Sequence, residues 1–243
     1  MITSQERQTQ LQKLQDQIKG IFKQIENATS IEELKSIENQ DQYAYLKDKK
    51  FNIPESKYPR LDISLTKEDI TSLKEKNFLD KDGVLCKSIA TKNDLLTPLS
   101  PLEKLLYSIL WKNGDLGKEK HIHDGVIGRD DKKNALVFYY FGKHLAEKSN
   151  PIIDQHVIRA WKSFKAVNDE SQNFEEKLGE KDVTRKDKEV CEDYIDWQNK
   201  IKMKIKKDVH IDFAYYVDRL LFALGKYLKY CHRKIYIPNL KKD

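Results

Sequence analysis

The chain has 243 residues, enough for one large or two small domains with a sizeable core, and 45 Lys and Arg against 39 Asp and Glu give a formal charge of +6. That excess favours a polyanionic partner, although charged residues of both signs at 35% of the chain equally describe a Lys-rich solvated surface. The three scattered cysteines (Cys86, Cys191, Cys231) exclude a disulfide framework and CxxC metal spacing, and no run approaches the ~20 apolar residues of a membrane span.

MITSQERQTQ lacks the apolar core of a signal peptide, so an intracellular protein is expected. Leu11, Leu14, Ile18, Ile21 and Ile25 then recur in steps of three and four, one stripe of a helix. The stripe is short for a coiled coil, so packing on the body of its own chain is expected ahead of a dimer zipper. A protein partner docking there is the alternative. GIFKQIENATS breaks the helix, and a second runs from Ser30 to Ile37, with Ser30 and Glu33 at capping-box spacing. Residues 1–40 thus read as an N-terminal helical segment and 41–243 as a single helical domain.

From Tyr43 to Arg60 the pattern is irregular, and Pro54 and Pro59 argue against a continuous element. Thr66 opens a helix with Asp69 three residues on, giving an apolar face of Ile70, Leu73 and Phe78. LDKDGVLCKSIA reads as a turn at Asp82-Gly83 followed by a short extended piece, so a few short strands are expected. Ser100-Pro101-Leu102-Glu103 is a helix start with a cap, a proline at the first position and a Glu at the third. Its Leu102, Leu105, Leu106, Ile109 and Leu110 predict a core helix ending near Asn113-Gly114.

Asn134 to Leu145, NALVFYYFGKHL, is apolar almost all round and predicts a helix buried on most sides. After Asp154 a helix continues with Val157, Ile158, Trp161 and Phe164 inward. Val167 to Val190 is strongly polar and reads as a solvated helix–loop excursion at 167–190. Two helices finish the chain: Val190 to Lys204 with Tyr194, Ile195 and Trp197, and Asp212 to Tyr230 with Asp212 as cap. The fold class expected is mainly α.

The stretch at 125–161 is where chemistry is expected. Gly125-Val126-Ile127-Gly128 reads as a glycine-bracketed turn followed by Arg129 and more basic residues, and glycines without a Cβ let backbone amides approach a phosphate. Such a turn is one way to grip a DNA backbone without reading sequence. PIIDQHVIRAW then places Asp154 at a helix start, where backbone amides and the dipole favour the anion.

GVIGR, a helix ending in Phe-Gly at Phe141-Gly142, and Asp154-Gln155-His156-Val157-Ile158-Arg159 together resemble the helix-hairpin-helix superfamily of DNA base-excision glycosylases, over about forty residues. The resemblance implies a multi-helix glycosylase-like fold and makes Asp154 the carboxylate that stabilises positive charge on the deoxyribose as the base leaves. It further implies a Lys nucleophile in members with lyase activity, for which Lys132 and Lys133 are the candidates. DNA contacts are implied at Gly125, Ile127, Gly128 and Arg129, while Arg159 reads as a structural or phosphate contact and His156 as architectural. The family's four-cysteine iron–sulfur signature is absent, so no cofactor is expected. A plain helix cap remains the alternative for Asp154.

His121 and His123, with Asp124, have the alternation of zinc ligands on a strand but no further ligand at suitable spacing, so no metal is expected. Lys112, Lys118, Lys120 and Arg129 surround them with positive charge. Basic runs recur from Lys200 to Lys207 and from Lys226 to Lys242 and either track phosphates or form solvated surface. Tyr139, Tyr140, Trp161, Tyr215 and Tyr216 supply either a wall for an extruded base or core. The function expected is a DNA glycosylase-like protein; the alternative is a non-catalytic DNA-binding or scaffold subunit of the same fold.

Overall fold

A computed structural model of the chain describes residues 3–53, 61–86, 89, 99–129, 135–169, 171–180 and 183–236. The mainly α expectation holds. Among the described residues there is no strand, and the short strands foreseen near Asp82-Gly83 reduce to a single antiparallel bridge between Leu79 and Leu85. The Asp80 carboxylate takes up the amides of Asp82 and Val84, and the reversal is too tight to leave room for a ladder. Two compact units emerge, Met1–Leu61 with Ser149–Asp243, and Asp62–Lys148. Residues 1–40 belong to the first unit, and the 125–161 stretch is divided between the two.

The first unit begins with α1 (Ser4–Asn27), opened by a capping box between Thr3 and Glu6. Its stripe of Leu11, Leu14, Ile18, Ile21, Phe22 and Ile25 is buried, against α7 (Gln155–Asn168) and α2 (Ile31–Ile37). A protein partner on that stripe is therefore corrected: the apolar surface is already covered within the chain. Phe22 stacks on Phe164 at 4.0 Å and meets Trp161 and Trp197, whose indole N–H donates to Glu26 at 2.8 Å.

Further along the unit come α8 (Phe174–Gly179), α9 (Lys188–Lys202) and α10 (His210–Tyr236). The solvated excursion is corrected in part, because Phe174 and Leu178 of α8 are buried. Lys162, itself nearly buried, binds the carboxylates of Glu180 and Asp187. Burial opposes the charge on both acids, but Lys162, joined by Lys177 at Glu180 and by Thr184 at Asp187, outweighs it and both titrate below the usual carboxylate range. Asp212 lies inside the first turn of α10 rather than capping it, since the chain already turns helically at Lys207–Val209.

The second unit holds α3 (Lys67–Glu75), α4 (Pro101–Asn113), α5 (Glu119–Ile127) and α6 (Leu136–Ala146). Thr66 and Asp69 cap α3 reciprocally, and α4 has its Ser100 cap, its proline and a left-handed Gly114 at the end. Ile70, Leu79 and Val126 form a small core. The core role expected of α4 is not realised: Leu102, Leu105, Leu106 and Ile109 are 48–63% exposed and Trp111 66%. Amphipathic spacing makes a helix with an apolar face but does not say what covers that face. Leu106→Ser is expected to change unfolding stability by no more than about 0.5 kcal/mol in a urea titration, whereas a core leucine at this position would cost several times that.

Candidate functional site

Asp154 lies in the first unit, at the N-cap of α7, where its carboxylate accepts the His156 amide at 2.6 Å. The approach to it is held from two sides. Lys202, at the end of α9, donates to the Ser149 carbonyl at 2.6 Å, and Asp218 of α10 accepts the Ile152 amide at 2.8 Å. Ile153, between Ile152 and Asp154, is fully buried. The side chain of Asp154 is half-buried at the start of α7; burial raises its pKa, against the lowering effect of backbone amides and Arg159.

One turn into α7, Arg159 is 2% exposed. Its guanidinium donates to the Glu180 carbonyl, to His156 Nδ1 at 2.9 Å and, more weakly, to the Gly225 carbonyl. A phosphate contact by Arg159 is thus corrected to a structural role, since the group is sealed and its donors point at protein atoms. His156 is architectural, as expected: Nδ1 accepts from Arg159, which places the ring proton on Nε2, and burial together with Arg159 lowers its pKa to about 3. Gly225 lets α10 approach closely here, since a Cβ would collide with the His156 carbonyl.

Asp218 is the site residue that sequence reading missed. Its carboxylate accepts Tyr194 Oη at 2.7 Å and Gln198 Nε2 at 3.1 Å as well as the Ile152 amide, and burial pushes its pKa up to about 7 despite those bonds. An acid inside the apolar run of α10 is the one signal that marked it. Lys202, part of the alternating basic run, is likewise buried; that run forms neither a strand nor a basic ring but the last turn of α9 and the turn after it.

Opposite proton linkages follow from the two shifts. The folded state holds the Asp218 proton more tightly than the unfolded chain, so that stabilisation is present below about pH 4 and is lost as pH rises to about 7. His156 works the other way, adding stability as pH rises from about 3 to about 6.5. Asp218→Asn removes the first and is expected to show a melting temperature that climbs more steeply with pH between 4 and 6.5 than the wild type, equivalent to about 3 kcal/mol over the window. Parallel profiles in thermal melts would refute it.

In the second unit the glycine reading changes. Gly125 and Ile127 are helical residues of α5, and only Gly128 leaves the helix, in a left-handed cap at φ 73°. A Cβ on Gly125 would strike the Tyr139 carbonyl, and one on Gly142 the Ile122 carbonyl, a reciprocal pattern that makes α5 and α6 a closely crossed antiparallel pair. These two glycines serve helix packing rather than an open phosphate loop. Arg129 is exposed, 3.9 Å from Asp124, which also pairs with Lys120 at 2.8 Å and His123 at 3.0 Å. His121 and His123 lie on a helix rather than a strand or loop, with His123 buried. Lys132 and Lys133 lie outside the described residues. Of the proposed aromatic wall, Tyr139, Tyr140 and Trp161 are buried, leaving Tyr215 and Tyr216 half-exposed.

Among the described residues no three His, Cys, Asp or Glu side chains gather as a metal site, and no helix is long and apolar enough to cross a membrane. Comparison with protein-family models, with curated proteins and with solved structures finds no match for this chain.

Proposed function

We propose that the chain is a DNA base-excision enzyme of the helix-hairpin-helix glycosylase type, with Asp154 as the carboxylate that stabilises the sugar cation when the base departs. The observation that carries the reading is the position of Asp154: a half-buried carboxylate at a helix start, on a segment pinned by Lys202 and Asp218. Fixed geometry is what electrostatic stabilisation of a developing charge requires, because no reorganisation is then needed during reaction. The test is incubation with duplexes each carrying one damaged or mismatched base, scored by strand cleavage at the resulting abasic site. Release from at least one substrate supports the reading; covalent trapping with borohydride separates a Lys-dependent lyase from a water-using enzyme.

A second reading, a non-catalytic DNA-binding or scaffold subunit, is favoured by the uncovered apolar face of α4. Salt-sensitive DNA binding with no base release from any substrate would select it.

A further inference from the structure

The C-terminal half of α10 and the segment that follows the Asp41–Leu46 turn build a basic surface around one tyrosine. Lys50 Nζ sits 3.7 Å and Lys234 Nζ 4.6 Å from the centroid of the Tyr230 ring. Phe51 is buried and packs at 5.4 Å on both Tyr227 and Tyr230, while Tyr45 stacks on Tyr227 at 3.8 Å. The Lys50 backbone is therefore anchored, not trailing. Neither Lys50 nor Lys234 meets a carboxylate among the described residues; Asp48, the nearest acid in sequence, turns its side chain to the Lys50 backbone amide at 2.8 Å. Two ammonium groups gathered on one ring repel each other, and cation–π attraction of about 0.5–1 kcal/mol each at an exposed site leaves room for an anion.

The charge continues along the helix. Lys226, Lys229 and Arg233 follow at steps of three and four, and Lys234 lies four residues beyond Tyr230, so all four share a face with that ring. From 226 to 234 the face runs about 12 Å, the axial span of three to four phosphates of one DNA strand. Gly225, the residue before Lys226, packs so closely on His156 that a Cβ there would collide with the His156 carbonyl, which brings this end of the face close to Asp154. Cations in a last helical turn complement the helix dipole, and that accounts for Arg233 and Lys234. It does not account for Lys50, which comes from another segment, or for Lys226 two turns earlier.

We propose that Lys50, Lys226, Lys229, Tyr230, Arg233 and Lys234 form the surface that tracks the DNA backbone toward Asp154. The inference rests on the reading of DNA as the substrate, but not on catalysis. Contacts of this kind grip phosphates without reading bases.

The full-length protein is titrated with a fluorescent, lesion-free duplex of about 20 base pairs at salt from about 50 to 300 mM. Lys50→Ala with Lys234→Ala, and separately Lys226→Ala with Lys229→Ala, are expected to weaken binding about tenfold and to make the slope of log K against log salt shallower by about two, at roughly 0.9 per lost phosphate contact. Unchanged circular dichroism checks the fold. Wild-type affinity and slope in both pairs would overturn the surface, as would a wild type that binds no DNA at the lowest salt. So would loss of binding only to phosphatidylserine vesicles, which would assign the face to a membrane. If the surface behaves as expected while no base is released from any substrate, the surface stands and the glycosylase reading alone fails.

Discussion

Asp154→Asn is expected to bind DNA as the wild type does while releasing base at least about 10³-fold more slowly. The magnitude follows from the role: removing a preorganised group that faces developing charge costs about 10² to 10³ in rate, and a full negative charge opposite a cation stands at the upper end or beyond. Fold is preserved because Asn caps a helix about as well as Asp. Burial raises the Asp154 pKa, so its ionised form costs the folded state something. The Asn variant escapes that cost, and its melting temperature at pH 8 should equal or exceed the wild type's. The wild-type rate should rise with pH through the raised pKa, because only the anion is active. A variant with full base release would remove Asp154 from the chemistry and leave it a cap.

Arg159→Leu should instead destabilise the first unit by about 2–6 kcal/mol, because two buried acceptors lose their donor at about 1–3 kcal/mol each. The Glu180 carbonyl and His156 Nδ1 would both lose their donor inside the protein. Leu replaces the stem but none of the hydrogen bonds. Loss of the positive charge also lifts part of the restraint on His156, whose pKa should climb from about 3 while burial still holds it below the ordinary value. Urea denaturation and the NMR titration of the His156 ring read the two effects separately. A variant of wild-type stability would mean that Arg159 is solvated, and would restore it as a phosphate contact.

Local signals were legible and long-range ones were not. Ser30, Thr66, Ser100 with Pro101, and Gly114 each act on backbone groups within four residues, so their meaning is carried by neighbours in the chain. The α1 stripe could be read as a packing face because its period matches the helix. Asp218 could not, because its partners Tyr194 and Ile152 lie 24 and 66 residues away. The same holds for Lys162, whose acids Glu180 and Asp187 sit in a stretch that composition marks as surface. Gly125 was misread for a related reason: a glycine admits close approach, but only the fold says whether a phosphate or the Tyr139 carbonyl does the approaching.

The first unit is assembled from both ends of the chain, with the second unit encoded between its halves. During synthesis α1 therefore leaves the ribosome with Phe22 and its isoleucines bare, and α7 follows only after roughly 130 further residues, on the order of 10 s later at about 5–20 residues per second. The interval is long enough for an exposed apolar helix to meet a chaperone or another nascent chain. Yield from rapid expression should accordingly improve on slowing translation or on co-producing a holdase, and a circular permutant that begins at residue 149 and carries α1 directly after α10 should depend least on either.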